Sequence, residues 1–572
     1  MAAKSGRFAI IEQLLADDIH YMFGNPGTVE EGFLDALGDY PQMQYILALQ
    51  ETVALGIADG YARSTKRPTI VQLHSGVGLG NGIGMLYQAW RGHAPLIVIA
   101  GDAGLRYDAM EAQMAADLVS MARPVTKWAT RVLDSSSVLR VLRRAIKIAS
   151  TPPMGPVFVN LPMDILDALC EEEIVPTSFP NTRVAPVPQL IAQAASMLAA
   201  AQHPLLIVGD GIAASGAESE LTHVAELLGA EVWGADSSEV NISAAHPLFR
   251  GQLGHMFGSH SSAITSRADG VLICGTYVFP EVFPALSGMF APQAKVIHID
   301  LDAHEVAKNF PIDLGLICDP KVTLTQLAIA LENVMTSNQH EQARNRTNAC
   351  AETKQQEEIE LRQADQARYD AVPLHASRFM EALAAHLPHD AIIFDEALTS
   401  SPDLVHAIPP VTPGHYFLTR GGSLGVGFPG AIGLKLAHPE KTVVGLSGDG
   451  GSMYTIQALW TAAHYKIGAK FIVCNNASYQ LLKLNIQQYW RERTLDEQEF
   501  PISFSLQDPV IRFDELARGL GIKAMRVEYP QHIEEALTLA FADNEPFLID
   551  LVISDSIPDH IVHKALHKYG QA

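Results

Sequence analysis

Apolar runs that open on a proline, Pro68 to Leu73, Pro95 to Ala100 and Pro156 to Leu161, alternate with helical stretches through the amino-terminal part of the chain. A run that is apolar at nearly every position suits a strand covered on both faces, with helices between such strands supplying the cover. This rhythm predicts a mostly parallel, doubly wound sheet. Leu205 to Val208, Val271 to Gly275 and Lys295 to Ile299 are further buried-strand candidates, and the alternation returns from about Pro373 onward. A chain of 572 residues exceeds what one core can organise. The expected fold class is therefore α/β, with three doubly wound parallel-sheet domains over residues 1–170, 189–335 and 373–572. Residues 171–188, with Glu171-Glu172-Glu173 and four prolines, read as a linker. The polar stretch from Met335 to Gln366 reads as a solvated helix or tether.

The charge balance, 63 acidic against 40 basic residues for a formal charge of -23, lacks the basic stripes that a nucleic-acid partner requires. The five cysteines are scattered without Cys-x-x-Cys spacing, as in a reducing cytoplasm. No apolar run has membrane-spanning length, and the first residues run into a helix carrying Glu12 and Asp17. A cytoplasmic protein with no membrane and no nucleic-acid partner is expected.

Gly448-Asp449-Gly450 is followed by a helical stretch, the apolar run Phe471 to Cys474, and Asn475-Asn476. A glycine turn lets backbone N–H groups approach phosphate, Asp449 offers an anionic oxygen, and Asn476 returns a neutral one 27 residues later. Magnesium takes about six oxygens, which two side chains, one backbone carbonyl, two diphosphate oxygens and a water would supply. The order strand, Gly-Asp-Gly, helix, strand, Asn-Asn resembles the motif of the enzymes that use thiamine diphosphate (ThDP), the 2-oxo acid decarboxylases, acetolactate-synthase-like carboligases and oxidases.

Three amino-terminal segments extend the resemblance. Tyr21 to Thr28 looks like the family's first strand and turn, and Tyr45 to Asp59 like its glutamate segment. The stretch Val71-Gln72-Leu73-His74-Ser75-Gly76-Val77-Gly78-Leu79-Gly80-Asn81 is similar to the corresponding segment of benzoylformate decarboxylases. That similarity spans nearly the whole chain, including Arg123-Pro124, Lys127-Trp128, Phe249-Arg250-Gly251 and Ala458 to Ala463. It implies pyrimidine-binding, middle and diphosphate-binding domains, ThDP and Mg2+ as cofactors, and a homodimer or homotetramer with active sites between subunits.

Carried onto matching positions, the resemblance makes Glu51, His74 and Thr28 catalytic. Glu51 would hydrogen-bond the aminopyrimidine, and His74 would relay protons. Glu51 by its position alone would be an anion at a helix start, favoured by the macrodipole. The cofactor set adds Glu396, Thr399, Ser400, Gly422, Leu424, Gly448, Gly450, Gly451, Ser452 and Tyr479. The metal set is Asp449, Asn476 and Ser478, and the substrate pocket is Asn25, Thr28, His74, Leu481, Leu482 and Asn485. Leu424 is the aliphatic residue expected beneath the cofactor.

Departures are equally readable. Thr28 stands where the relative has serine, keeping the hydroxyl and adding a methyl. The segment Gly275 to Phe283 lacks the family's second active-site histidine; Glu281, His255, His260, His560 and His563 are candidate replacements. Leu481 narrows the pocket wall and Asn485 makes it more polar. Arg420 is placed to grip a carboxylate bidentately, or else is a surface residue. Gly209-Asp210-Gly211-Ile212-Ala213-Ala214 matches a dinucleotide fingerprint or is a plain strand-to-helix turn. The expected activity is decarboxylation of a small 2-oxo acid, with acyloin formation from an aldehyde as a companion reaction. An acetolactate-synthase-like carboligase or flavin-linked oxidase is one alternative, and a non-catalytic binding protein of the same fold is another.

Overall fold

The computed structural model describes residues 4–254 and 256–556. It contains three six-stranded sheets in which every strand pair is parallel. The runs read as buried strands appear as Thr69–Leu73, Leu96–Asp102, Val157–Pro162, Pro204–Val208, Gly270–Cys274 and Lys295–Asp300.

The first sheet runs in space Gln44–Leu47, Tyr21–Gly24, Thr69–Leu73, Leu96–Asp102, Val157–Pro162, Trp128–Arg131. Numbered along the chain, this is strand order 2-1-3-4-6-5. The third sheet repeats it with Tyr416–Leu418, Ile392–Glu396, Val443–Gly448, Lys470–Asn475, Phe547–Val552 and Lys523–Val527. The middle sheet, Phe249–Gln252, Glu231–Gly234, Pro204–Val208, Gly270–Cys274, Lys295–Asp300 and Leu314–Ile317, has order 3-2-1-4-5-6. Ligands of such sheets lie at the carboxyl ends of strands where the order reverses, and this is where Gly24, Glu396 and Gly448 fall.

The first and third sheets share one core through two helices. A Cβ on Gly60 of the helix Glu51–Thr65 would lie 2.2 Å from the Gly430 carbonyl oxygen. One on Gly433 of the helix Gly427–Ala437 would lie 2.0 Å from that of Ile57. Glycine there lets the backbones touch, and Phe23, Phe394, Phe428 and Phe471 pack into the common core on either side. The Met335–Gln366 stretch is a helix, Ser337–Gln366, with only Ala343 and Asp365 buried, started by a Thr336/Gln339 capping box. No helix among the described residues is long and apolar enough to cross a membrane. The five cysteines are free thiols, and all but Cys350 are buried.

Candidate active site

Glu51 is the first residue of its helix and only 7% exposed. Capping falls to its neighbour: the Gln50 side chain accepts from the Thr52 and Val53 N–H groups. The Glu51 carboxylate is thereby spared for another task, and its Oε2 accepts from Asn81 Nδ2 at 3.1 Å. Asn81 belongs to the helix Ser75–Arg91, so that helix fixes the direction of the acid.

His74 precedes that same helix. Its Nδ1 lies 2.9 Å from Glu30 Oε2, while Glu30 Oε1 accepts from the Gly101 N–H at 2.7 Å. Burial raises the Glu30 carboxyl, and the contacts with His74 and Gly101 counter part of that rise. With Glu30 ionised, Nδ1–H donates to it, and Nε2 is the ring nitrogen that Glu30 does not engage. Gly27 makes room for the ring: a Cβ there would sit 1.9 Å from His74 Nδ1. Gly27→Ala is expected to displace the imidazole and lower turnover about 10²-fold with the fold retained, as read by steady-state kinetics beside circular dichroism. Thr28 is exposed, and Asn25 turns its carbonyl to Gln72 Nε2 at 3.3 Å.

At the third sheet, Asp449 opens the short helix Asp449–Ser452 and is buried. Its Oδ1 accepts from Gly450 N at 2.7 Å and its Oδ2 from Ser478 N at 3.2 Å. Asn476 Oδ1 accepts from the same Ser478 N–H at 3.0 Å, so Asp449 and Asn476 converge on one backbone group. Burial pushes the Asp449 carboxyl up to about 6 despite these donors. Ser478 Oγ is buried without a hydrogen-bond partner among the described residues. Gly451 and Ser452 are buried, with Ser452 Oγ donating to the Gly448 carbonyl at 2.8 Å. Tyr479 lies against Gly450, where a Cβ would meet its ring at 2.4 Å.

Glu396 is fully buried and shapes the turn above it. Its carboxylate accepts from Gly425 N, from Gly427 N at 2.7 Å and from Ser447 Oγ at 3.0 Å, and burial pushes it up to about 7. These contacts make Glu396 the residue that holds the Gly-rich turn in place. The turn it holds has left-handed backbone at Gly421, Gly422 and Gly425, and presents Leu424 half-buried. Thr399 is half-buried and Ser400 buried in the short helix after the Glu396 strand. Leu481 and Asn485 lie one helical turn apart on Gln480–Glu492 and are half-buried, whereas Leu482 is 41% exposed.

Arg420 requires a correction. It is neither a surface residue nor open to a substrate carboxylate: its Nη1 lies 2.6 Å from Asp210 Oδ2 and its Nη2 2.7 Å from Asp236 Oδ2. Asp210 also accepts from the Ser238 and Glu239 N–H groups, so the Gly209-Asp210-Gly211 turn anchors the third domain's Gly-rich turn to the middle sheet. Breaking a buried pair leaves an uncompensated charge, and Arg420→Ala is expected to destabilise the protein by about 3–5 kcal/mol in chemical denaturation. A cavity of about 350 Å³ lies beside this network, lined in part by Gly211, Gly275 and Asp300. Of the candidate replacements for the missing histidine, Glu281 is buried and accepts the Ser261 hydroxyl, and His260 is half-buried. His255, His560 and His563 lie outside the described residues.

Three thiamine pyrophosphate enzyme models match the chain: the N-terminal TPP binding domain over residues 4–121, the central domain over 191–327, and the C-terminal TPP binding domain over 400–551. Benzoylformate decarboxylase of Pseudomonas aeruginosa is 31% identical over 96% of this chain and 98% of its own length. The chain belongs to the thiamine pyrophosphate enzymes. The acetolactate synthase large subunit of Haemophilus influenzae is 28% identical over 97% of the chain and 96% of its own length. The thiamine diphosphate-dependent 4-hydroxybenzoylformate decarboxylase of Rhodococcus jostii RHA1 superposes with a TM-score of 0.82 at 27% identity, over 96% of this chain and 99% of that one.

The residues present fit the cofactor of a thiamine pyrophosphate enzyme. A Cβ on Gly422 or Gly448 would meet nothing within 4 Å, so both glycines border open space. Beside Gly448, the oxygens of Asp449 and Asn476 converge on the Ser478 N–H, and the buried Ser478 Oγ has no hydrogen-bond partner among the described residues. Glu30, Gln50 and Asn81 are the positioning residues that sequence spacing did not assign. Their signal is faint, a carboxylate two positions after Thr28 and amides beside residues already singled out.

Proposed function

We propose that this thiamine pyrophosphate enzyme decarboxylates a small 2-oxo acid and, when an aldehyde is present, joins the acyl fragment to it. The observation that carries this reading is the pairing of a buried acid, Glu51, freed from capping by Gln50, with an imidazole, His74, oriented by Glu30. Bound ThDP supplies a carbon nucleophile and a sink for the electron pair left by departing CO2. Glu51 is placed to hold a proton against the aminopyrimidine ring. His74 Nε2 is the group that delivers a proton to, or takes one from, the substrate oxygen, with the Thr28 hydroxyl beside the carboxylate. Asp449, Asn476 and the Ser478 carbonyl would hold Mg2+, Gly448 to Ser452 and Tyr479 would border the diphosphate, and Leu424 would lie beneath the rings.

The two half-sites belong to different subunits in this reading. Apolar side chains flank both on the single chain: Leu49 and Val77 near Glu51 are 45% and 62% exposed, and Met453 and Tyr454 near Asp449 are 42% and 56% exposed. A homodimer or homotetramer would cover them. Turnover of a panel from pyruvate through branched aliphatic acids to benzoylformate, with CO2 and aldehyde both measured, tests the proposal. One strongly preferred member supports it, whereas thiamine-dependent ligation with no free aldehyde would favour the synthase reading. That second reading draws support from the cavity at the middle-sheet turn, and a yellow chromophore copurifying with the protein would bring a flavin-linked enzyme forward.

Because Asp449 must be ionised to hold a cation, protons compete with Mg2+ below its raised value. Apparent Mg2+ affinity is expected to fall about tenfold for each pH unit below about 6, and to level off above it, in titrations of Mg2+ activation across pH.

A further inference from the structure

A second group of metal-ligand side chains lies far along the chain from Asp449, where the long solvated helix Ser337–Gln366 meets the third domain. Asp365 stands in its last turn, His375 caps the helix Ala376–His386, and Asp403 lies on the helix Ser401–Ala407. One ligand atom from each of these three residues falls within 4.8 Å of the other two. His406, one turn beyond Asp403, places Nδ1 3.2 Å from Asp365 Oδ2. A cavity of about 290 Å³ opens here, lined by Asp365, Ser377, Glu381, Asp403 and His406 among others.

Asp365 supplies the independent sign of a ligand. It is 7% exposed, on a helix otherwise almost wholly solvated, and its Oδ1 is buried with no hydrogen-bond partner among the described residues. A buried carboxylate oxygen left unmatched is costly, and a second carboxylate beside it adds repulsion that a dication would convert into attraction. The geometry points to a structural site for a divalent first-row transition ion, of which Zn2+ is the type, held by Asp365, Asp403 and His375 with His406 beside them. Mixed imidazole and carboxylate donors suit such an ion, whereas Mg2+ prefers oxygen alone. Arg368 Nη1, now 3.3 Å from His375 Nε2, is the group the ion would displace from that ring. The bound ion would pin the end of the solvated helix to the third domain.

Zn2+ titrated calorimetrically into full-length protein, stripped with chelator and reloaded with ThDP and excess Mg2+, tests this. One equivalent per chain is expected to bind, to persist in Asp449→Asn, and to weaken about tenfold or more in Asp403→Asn and in His375→Gln. Zn2+ should also raise the melting temperature of the parent, and by less that of Asp403→Asn, which has lost one carboxylate ligand. Circular dichroism identifies a variant that does not fold; Asp403→Asn, being isosteric, is the decisive one. No binding in the presence of excess Mg2+, or binding unchanged in both Asp403→Asn and His375→Gln, would overturn the site.

Discussion

Glu51→Ala is expected to lower the rate of CO2 release about 10³-fold or more while leaving the melting temperature within a few degrees of the parent. The separation follows from the amino end of the helix. Gln50 carries the cap there, so removing the carboxylate costs no helix-start hydrogen bond. What is lost is a buried acid aimed by Asn81, and a misplaced or missing proton carrier costs about 10² to 10⁴ in rate. Glu51→Gln keeps the volume and can still accept from Asn81, so it should fold as well as the parent and remain almost as inactive as the alanine variant. Steady-state kinetics beside thermal denaturation checks both. A large stability loss with modest rate loss would instead make Glu51 a structural residue.

His74→Ala is the second large effect, about 10² to 10⁴ in kcat, with the substrate KM changed far less. The imidazole is held by Glu30, which is itself held by the Gly101 N–H. Glu30→Gln separates orientation from chemistry. An amide oxygen can still receive the Nδ1 proton, but the negative charge that stabilises the protonated ring is gone. Turnover should therefore fall in Glu30→Gln with the substrate KM little changed, but by less than in His74→Ala, because the ring keeps its hydrogen bond and loses only its counter-charge. Turnover identical to the parent would remove Glu30 from the relay.

Much of the architecture was legible because the central strands are covered on both faces. Thr69–Leu73 and Gly270–Cys274 are buried at every position, so they stand out as continuous apolar runs. Edge strands do not: Phe249–Gln252 and Lys523–Val527 are half-exposed and carry arginine or lysine, a pattern that reads as loop. Strand order was hidden as well. The shared 2-1-3-4-6-5 order of the first and third sheets depends on where each crossover lands, not on any one run.

In the candidate site, residues tied to a motif were readable and those tied by tertiary contact were not. Asp449 and Asn476 are separated by one helix and one strand, a spacing visible in the chain. Glu30 reaches His74 across 44 residues, and Arg420 finds Asp210 across 210, with no periodicity linking either pair. The same blindness turned Arg420 into a candidate substrate clamp. It is a charged residue beside a Gly-rich turn, and only its buried partners reveal that it holds the turn in place.

The central claim is that an acid on the first domain drives a thiamine-dependent decarboxylation completed by the third. Release of labelled CO2 from carboxyl-labelled 2-oxo acids, with saturating ThDP and Mg2+, compared between the parent and Glu51→Ala, tests it most directly. The account predicts release from at least one acid that requires ThDP and nearly vanishes in the variant. Release that persists undiminished in Glu51→Ala, or that needs no ThDP, would contradict it.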